Sequence, residues 1–267
     1  MLAIIISLGI GAAVGIIFFW NGFGSAVYIT VGFIVFAACQ IGTGLLMRKL
    51  VKKYTNEIQA VIQGAQTKLN KKIQFFQQKP QGGIKNMQKI LEKDQHVFIR
   101  QAIEETKRFE KLYSWNLMLP KQVNTMRMQF YFQLKEFNKV DELMSKSVFM
   151  DPMSVAMKMV RLYKKGDTSY KQLFRKKAKK FAKNENGALL YALYSWILVK
   201  NGQIEEAIKV LQQGKDKTKN EVIEQNLEAL VNGKEKRFSN ADFGDIWYSL
   251  FLEEPKIPKP KQQMVYR

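Results

Sequence analysis

Few residues in this chain could do chemistry by their type and spacing. Among 267 residues there is one cysteine, Cys39, and one histidine, His96. One of each supports neither an internal disulfide nor a Cys/His metal site. Cys39 stands in an apolar run and reads as a small hydrophobe. His96, between Gln95 and Val97, reads as a surface or half-buried helix residue with no nucleophile or orienting partner in view. Gly9, Gly11 and Gly15 suggest a dinucleotide-binding turn, but their spacing is G-x-G-x-x-x-G. No acidic residue precedes Glu57 to hold a ribose. Asp242-Phe243-Gly244 matches a metal-holding tripeptide of kinases, yet no phosphate loop or catalytic loop accompanies it. The sequence therefore predicts no catalytic residue, no metal and no cofactor. An enzyme with an unrecognised active site stands as the alternative.

Positive charge is abundant by contrast. Lys and Arg number 43 against 23 Asp and Glu, a formal charge of +20. None of these charges falls in residues 1–47. Two concentrations follow. Arg48, Lys49, Lys52 and Lys53 put four cations in six residues directly after the uncharged segment. Residues 171–183 hold seven cations and no acid. On that helix Phe174, Ala178, Phe181 and Ala182 form an apolar side, and Arg175, Lys176, Lys179, Lys180 and Lys183 lie away from it. These nine cations are candidate contacts for an anionic surface. A solvated face competes with that reading. Nucleic acid is disfavoured as a partner, because no base-reading motif is visible and aromatic interleaving is poor.

The elements that would position these groups begin with two apolar runs. Residues 2–20 would rise about 28 Å as a helix, close to the ~30 Å hydrocarbon core of a bilayer. Residues 25–47 are long enough to cross with some tilt. Asn21-Gly22-Phe23-Gly24 between them has turn composition. The pair is expected to form a transmembrane helical hairpin over 1–47, with Trp20, Phe23 and Tyr28 at the interface near the turn. A cleaved signal peptide would need a basic n-region and a small-residue cleavage site, and the sequence has neither. Ser7, Gly11 and Gly15 fall on one helix face, where small side chains let a second helix approach closely. Ala38 and Gly42 are the expected matching face. Whether that contact lies within the hairpin or between copies stays open, and with it a homo-oligomer. The cations after Met47 predict an integral membrane protein with both termini cytoplasmic; a bacterial inner membrane is the prior expectation.

Residues 48–83 read as a basic juxtamembrane amphipathic helix and a linker. Tyr54, Ile58, Ile62, Ala65, Leu69, Ile73 and Phe76 make one apolar stripe. It suits packing on its own chain better than a coiled coil. Pro80-Gln81-Gly82-Gly83 is the expected linker.

Residues 84–252 are rich in helix formers and carry an internal repeat. Phe137, Val140 and Met144 recur as Ile204, Ala207 and Leu211, displaced by 67 residues, twice the length of a helix–turn–helix unit. The clearest unit starts at Ala188 and runs to about Glu221, with Tyr191 and Tyr194, a turn at Asn201-Gly202, then Ile204, Ala207 and Leu211. A second starts at Lys121 and carries Met128, Tyr131, Phe137, Val140, Met144, Ser147 and Pro152. A third, with a Gly166-Asp167 turn, lies between them. Residues 89–120 are a candidate divergent first unit, and Val222 opens a partial last one. These units resemble the tetratricopeptide repeat (TPR) family. The resemblance implies an α-solenoid of antiparallel helix pairs that holds a protein or peptide partner on its concave face. Tyr131, Tyr191, Tyr194 and Trp196 are the candidate partner-binding residues, although the same spacing serves a packed core and leans that way. Gln129 and Trp196 stand where some relatives place an Asn to hold a peptide carboxylate, so that specificity does not carry over.

Residues 242–252 predict a last helix, and 253–267 a flexible Pro/Lys-rich tail. The expectation is an all-α, membrane-anchored scaffold. Its partners are membrane lipid, including an anionic inner leaflet, and a protein.

Overall fold

The computed structural model describes residues 2–78 and 83–255, and every regular element among them is helical. The chain divides into two compact units, Met1–Val148 and Phe149–Arg267.

The first unit opens with α1 (Leu2–Trp20), a turn that Gly22 makes at φ 79°, and α2 (Ser25–Gln78). Both helices are long and apolar enough to cross a membrane. Helix α2 is a single element of 54 residues, about 81 Å at the standard rise. The second apolar run and the amphipathic stretch expected to be a separate region are thus one rod. The helical period survives the change in composition at Arg48. Met47, Leu50, Val51 and Tyr54 all turn toward the same core as the buried Ile58.

That core is completed by α3 (Ile84–Glu105), a 3₁₀ segment (Thr106–Leu112) and α4 (Leu119–Gln133), against which α5 (Phe137–Met144) packs. Ile99, Ala102, Ile103, Phe109, Leu112 and Val123 pack around Ile58. The stripe on α2 therefore packs on its own chain, as favoured from sequence. Ile58, Ala65 and Phe76 are buried, but Ile62 is exposed. Ion pairs Lys72–Asp94 (2.5 Å) and Glu57–Arg108 (2.6 Å) fix the register at the rim. Residues 89–120, offered above as a first repeat, are instead one long helix followed by the 3₁₀ segment and a loop. Residues 79–82 of the expected linker lie outside the described residues.

The second unit holds α6 (Pro152–Lys164), α7 (Ser169–Phe181), α8 (Ala188–Lys200), α9 (Ile204–Thr218), α10 (Glu221–Val231) and a short α11 (Asp245–Tyr248). Local chemistry sets its boundaries. Asp151 caps α6 by accepting from the Ser154 N–H at 2.8 Å, and Pro152 occupies the first turn. Asn220 caps α10 in the same way. Helix α9 has Glu205 and Glu206 in its first turn and Lys215 and Lys217 in its last, which suits its dipole. Helix α8 is buried from Ala188 to Leu198 and packs against α6, α7, α9 and α10. A helix apolar on every side needs such cover.

One turn recurs. After α6 the amide of Gly166 donates to Tyr163 and that of Asp167 to Leu162; after α8, Gly202 donates to Val199 and Gln203 to Leu198. Gly233 and Lys234 repeat the pattern after α10, and Lys135 and Glu136 after α4 in the first unit. The central residue is left-handed each time, with φ 59°, 73°, 73° and 65° at 135, 166, 202 and 233. The expected last helix over 242–252 shrinks to α11. The chain there bends back through Phe251 at φ 54° and buries Trp247 and Leu250 completely. Residues from Lys256 onward, most of the expected tail, lie outside the described residues.

Candidate functional site

The helices α1 and α2 cross where neither has a side chain to keep them apart. A Cβ on Gly11 would stand 2.7 Å from the Gly32 carbonyl oxygen, and one on Gly32 would stand 2.9 Å from that of Gly11. Gly15 lies 3.2 Å from the Tyr28 carbonyl by the same measure. Ser7 is buried and donates its hydroxyl to the Ala3 carbonyl at 2.7 Å. The face expected on α1 is therefore the one used. The matching face is not. Ala38 and Gly42 are exposed, and a Cβ on Gly42 would meet nothing within 4 Å. Gly32 takes that role, because an antiparallel pair with a tight turn sets Gly11 opposite residue 32. Its spacing from Tyr28 and Phe36 was the available signal.

Arg48, Lys49, Lys52 and Lys53 are all exposed on α2 just past its uncharged stretch. On α7, Arg175, Lys176, Lys179 and Lys180 are exposed, and so is Lys183 beyond its end. Among the described residues no carboxylate pairs with any of these nine. Lys177 turns aside, donating to the Phe149 carbonyl at 3.0 Å. Burial, helped by the nearby charge of Lys177, holds Lys158 below the usual lysine range.

The aromatic candidates are corrected by the structure. Tyr191 is 2% exposed, Tyr194 7% and Trp196 6%, so they build the core of the second unit and line no open face. Tyr194 stacks on Phe174 at 4.2 Å, and Tyr191 meets the same ring edge-on. The cause is the all-apolar character of α8, which leaves no outward side. Tyr131 of the first unit is half-buried, with the Lys139 ammonium 4.8 Å above its ring.

Sequence reasoning missed a carboxylate shared by two tryptophans. Trp196 donates its indole N–H to one oxygen of Glu253 and Trp247 donates to the other, each at 2.8 Å. Beside them Asn226 and Asn240 are buried. Asn226 donates to Asn240, which donates to the Ala192 carbonyl at 3.1 Å. These bonds clasp the end of the described chain onto α8 and α10. Only two acidic residues, Glu253 and Glu254, lie between Phe251 and the end of the chain, a faint hint that one is used internally.

Among the described residues no group of His, Cys, Asp or Glu is arranged to hold a metal ion. No family model, curated protein or solved structure matches the chain.

Proposed function

We propose that the protein is a membrane-anchored interaction scaffold, in which α1 and α2 form a transmembrane hairpin and the helix pairs form a TPR-like solenoid offered to a protein partner in the cytoplasm. The comparison of α1 with α8 carries this reading. Both helices are almost wholly apolar, but α8 is buried by its neighbours whereas α1 leaves Ile5 65% and Leu8 60% exposed. Within α1 only Ala3, Ser7, Gly11 and Gly15 are buried, and within the apolar part of α2 only Gly32. A core helix does not remain so uncovered; lipid is the medium that suits it. The uncharged stretch then ends at unpaired cations, as the charge bias of cytoplasmic flanks requires. The recurring left-handed turn after α4, α6, α8 and α10 supports the repeat reading without appeal to sequence likeness. Anchoring would raise the effective concentration of a captured partner near the surface.

The full chain should stay with membranes in alkaline carbonate. Crosslinking and affinity capture from those membranes should recover a protein that is lost when residues 149–255 are removed. Carbonate release would remove the anchor. A capture profile unchanged by the deletion would remove the scaffold.

The five unpaired cations of α7 and its end favour a second contact, with anionic headgroups. A dye on Gln172→Cys, with Cys39→Ser, should approach headgroups more closely in phosphatidylglycerol bilayers than in phosphatidylcholine. Lys176→Glu, Lys179→Glu and Lys180→Glu together should erase that difference. A difference that survives the triple change excludes the contact.

A further inference from the structure

The loop after the 3₁₀ segment has no obvious reason to be apolar. Residues 112–120 contain no charge and are flanked by Lys111 and Lys121. The loop is firmly built. The Asn116 side chain accepts from the Met118 amide at 2.9 Å, and Leu119 is 2% exposed beneath it. Yet it turns Leu117 and Met118 outward, 58% and 44% exposed. It is also tied to the hairpin. The Leu2 amide donates to the Ser114 carbonyl at 2.9 Å, and Gln40 on α2 reaches the Ala3 carbonyl at 3.4 Å. A cleft of about 520 Å³ lies between the start of α1, residues 40–51 of α2 and this loop. It spans about 16 Å of the α2 axis, across the point where the uncharged stretch gives way to cations.

The lining is divided in kind. Trp115, Leu117 and Met118 supply apolar wall; Gln40, Asn116 and Gln122 supply amides; Arg48 is the one charged residue, and no carboxylate is present. We infer that this cleft is a binding site for one anionic phospholipid of the cytoplasmic leaflet, its phosphate on Arg48 and an acyl chain along the loop. The inference rests on the membrane placement of α1 and α2 proposed above. A volume of this size suits a headgroup and the first part of a chain. A free phosphate would leave the apolar wall bare. A zwitterionic lipid would bring an ammonium that finds no acid in the cleft, whereas a net negative headgroup matches the guanidinium.

Native mass spectrometry of the full chain in detergent micelles tests this with three probes: phosphatidylglycerol, phosphatidylcholine and inorganic phosphate. Phosphatidylglycerol should be retained about tenfold more tightly than phosphatidylcholine, and phosphate alone should not bind. Arg48→Gln, at an exposed position, should lower phosphatidylglycerol retention about tenfold and leave phosphatidylcholine unchanged. Lys71→Gln, which removes an exposed cation of α2 outside the cleft, should change neither. Equal retention of the two lipids, phosphate binding as tight as the lipid, or equal losses in Arg48→Gln and Lys71→Gln would each overturn the site. Carbonate extraction of the same proteins keeps the outcomes apart: a chain that stays with membranes but shows no lipid preference loses this site alone, and one that washes off loses the placement beneath it.

Discussion

Leucine in place of Gly11 should splay the hairpin, most of all at the end away from its turn. The added Cβ alone falls 2.7 Å from the Gly32 carbonyl and 3.1 Å from the Cβ of Phe36. Backbone cannot yield at that contact without separating the helices. Overpacking of this kind costs about 1–3 kcal/mol, and here the close approach of two backbones is lost as well. The opening should be read from Ile4→Cys crosslinked to the native Cys39 by a short bifunctional reagent, since Ile4 and Gln40 face the same cleft. Crosslinking should fall severalfold in the Gly11→Leu background and persist with Gly42→Leu, where the new side chain meets open space. Equal yields from both variants would mean that the crossing is not at Gly11.

Glu253→Ala, which truncates a half-buried carboxylate, should markedly destabilise the second unit. Two buried indole N–H groups lose their acceptor together. Each unpaired donor costs roughly 1–3 kcal/mol, so a loss of about 2 kcal/mol is the least expected. Chemical denaturation followed by tryptophan emission should show the lower midpoint and an altered native signal, because Trp196 and Trp247 lie 6.0 Å apart in the same contact. Glu253→Gln, which keeps one carbonyl acceptor, should fall between the two. Identical midpoints for all three proteins would show that the clasp contributes nothing.

Much of the local structure is legible in the sequence. The bounds of α1, the four-residue turn and the start of α2 follow from where apolar residues give way to Asn and Gly. Gly166-Asp167 and Asn201-Gly202 marked two turns because glycine accepts a left-handed backbone. The same turn at Lys135 was hidden, since a lysine carries no such signal. Composition misled at Arg48. A switch from apolar to charged residues suggested a boundary, yet the helical period of Leu50, Val51, Tyr54 and Ile58 runs straight through it. The aromatic residues of α8 illustrate a different limit. Spacing assigns Tyr191 and Tyr194 to a face, but only the presence of α6, α7, α9 and α10 on every side decides that no face of α8 is open. Glu253 lies 57 positions from Trp196, a pairing that no local pattern encodes.

The unbroken course of α2 has a mechanical consequence. If the hairpin spans a bilayer as proposed, α2 has no joint where it would leave the apolar layer and would act as a lever. Its portion from Arg48 to Gln78 extends about 46 Å, so a lean of roughly 10° would swing its far tip by about 8 Å. Changes in bilayer thickness, or strain on the hairpin, would thereby be delivered as displacement to everything packed along that arm.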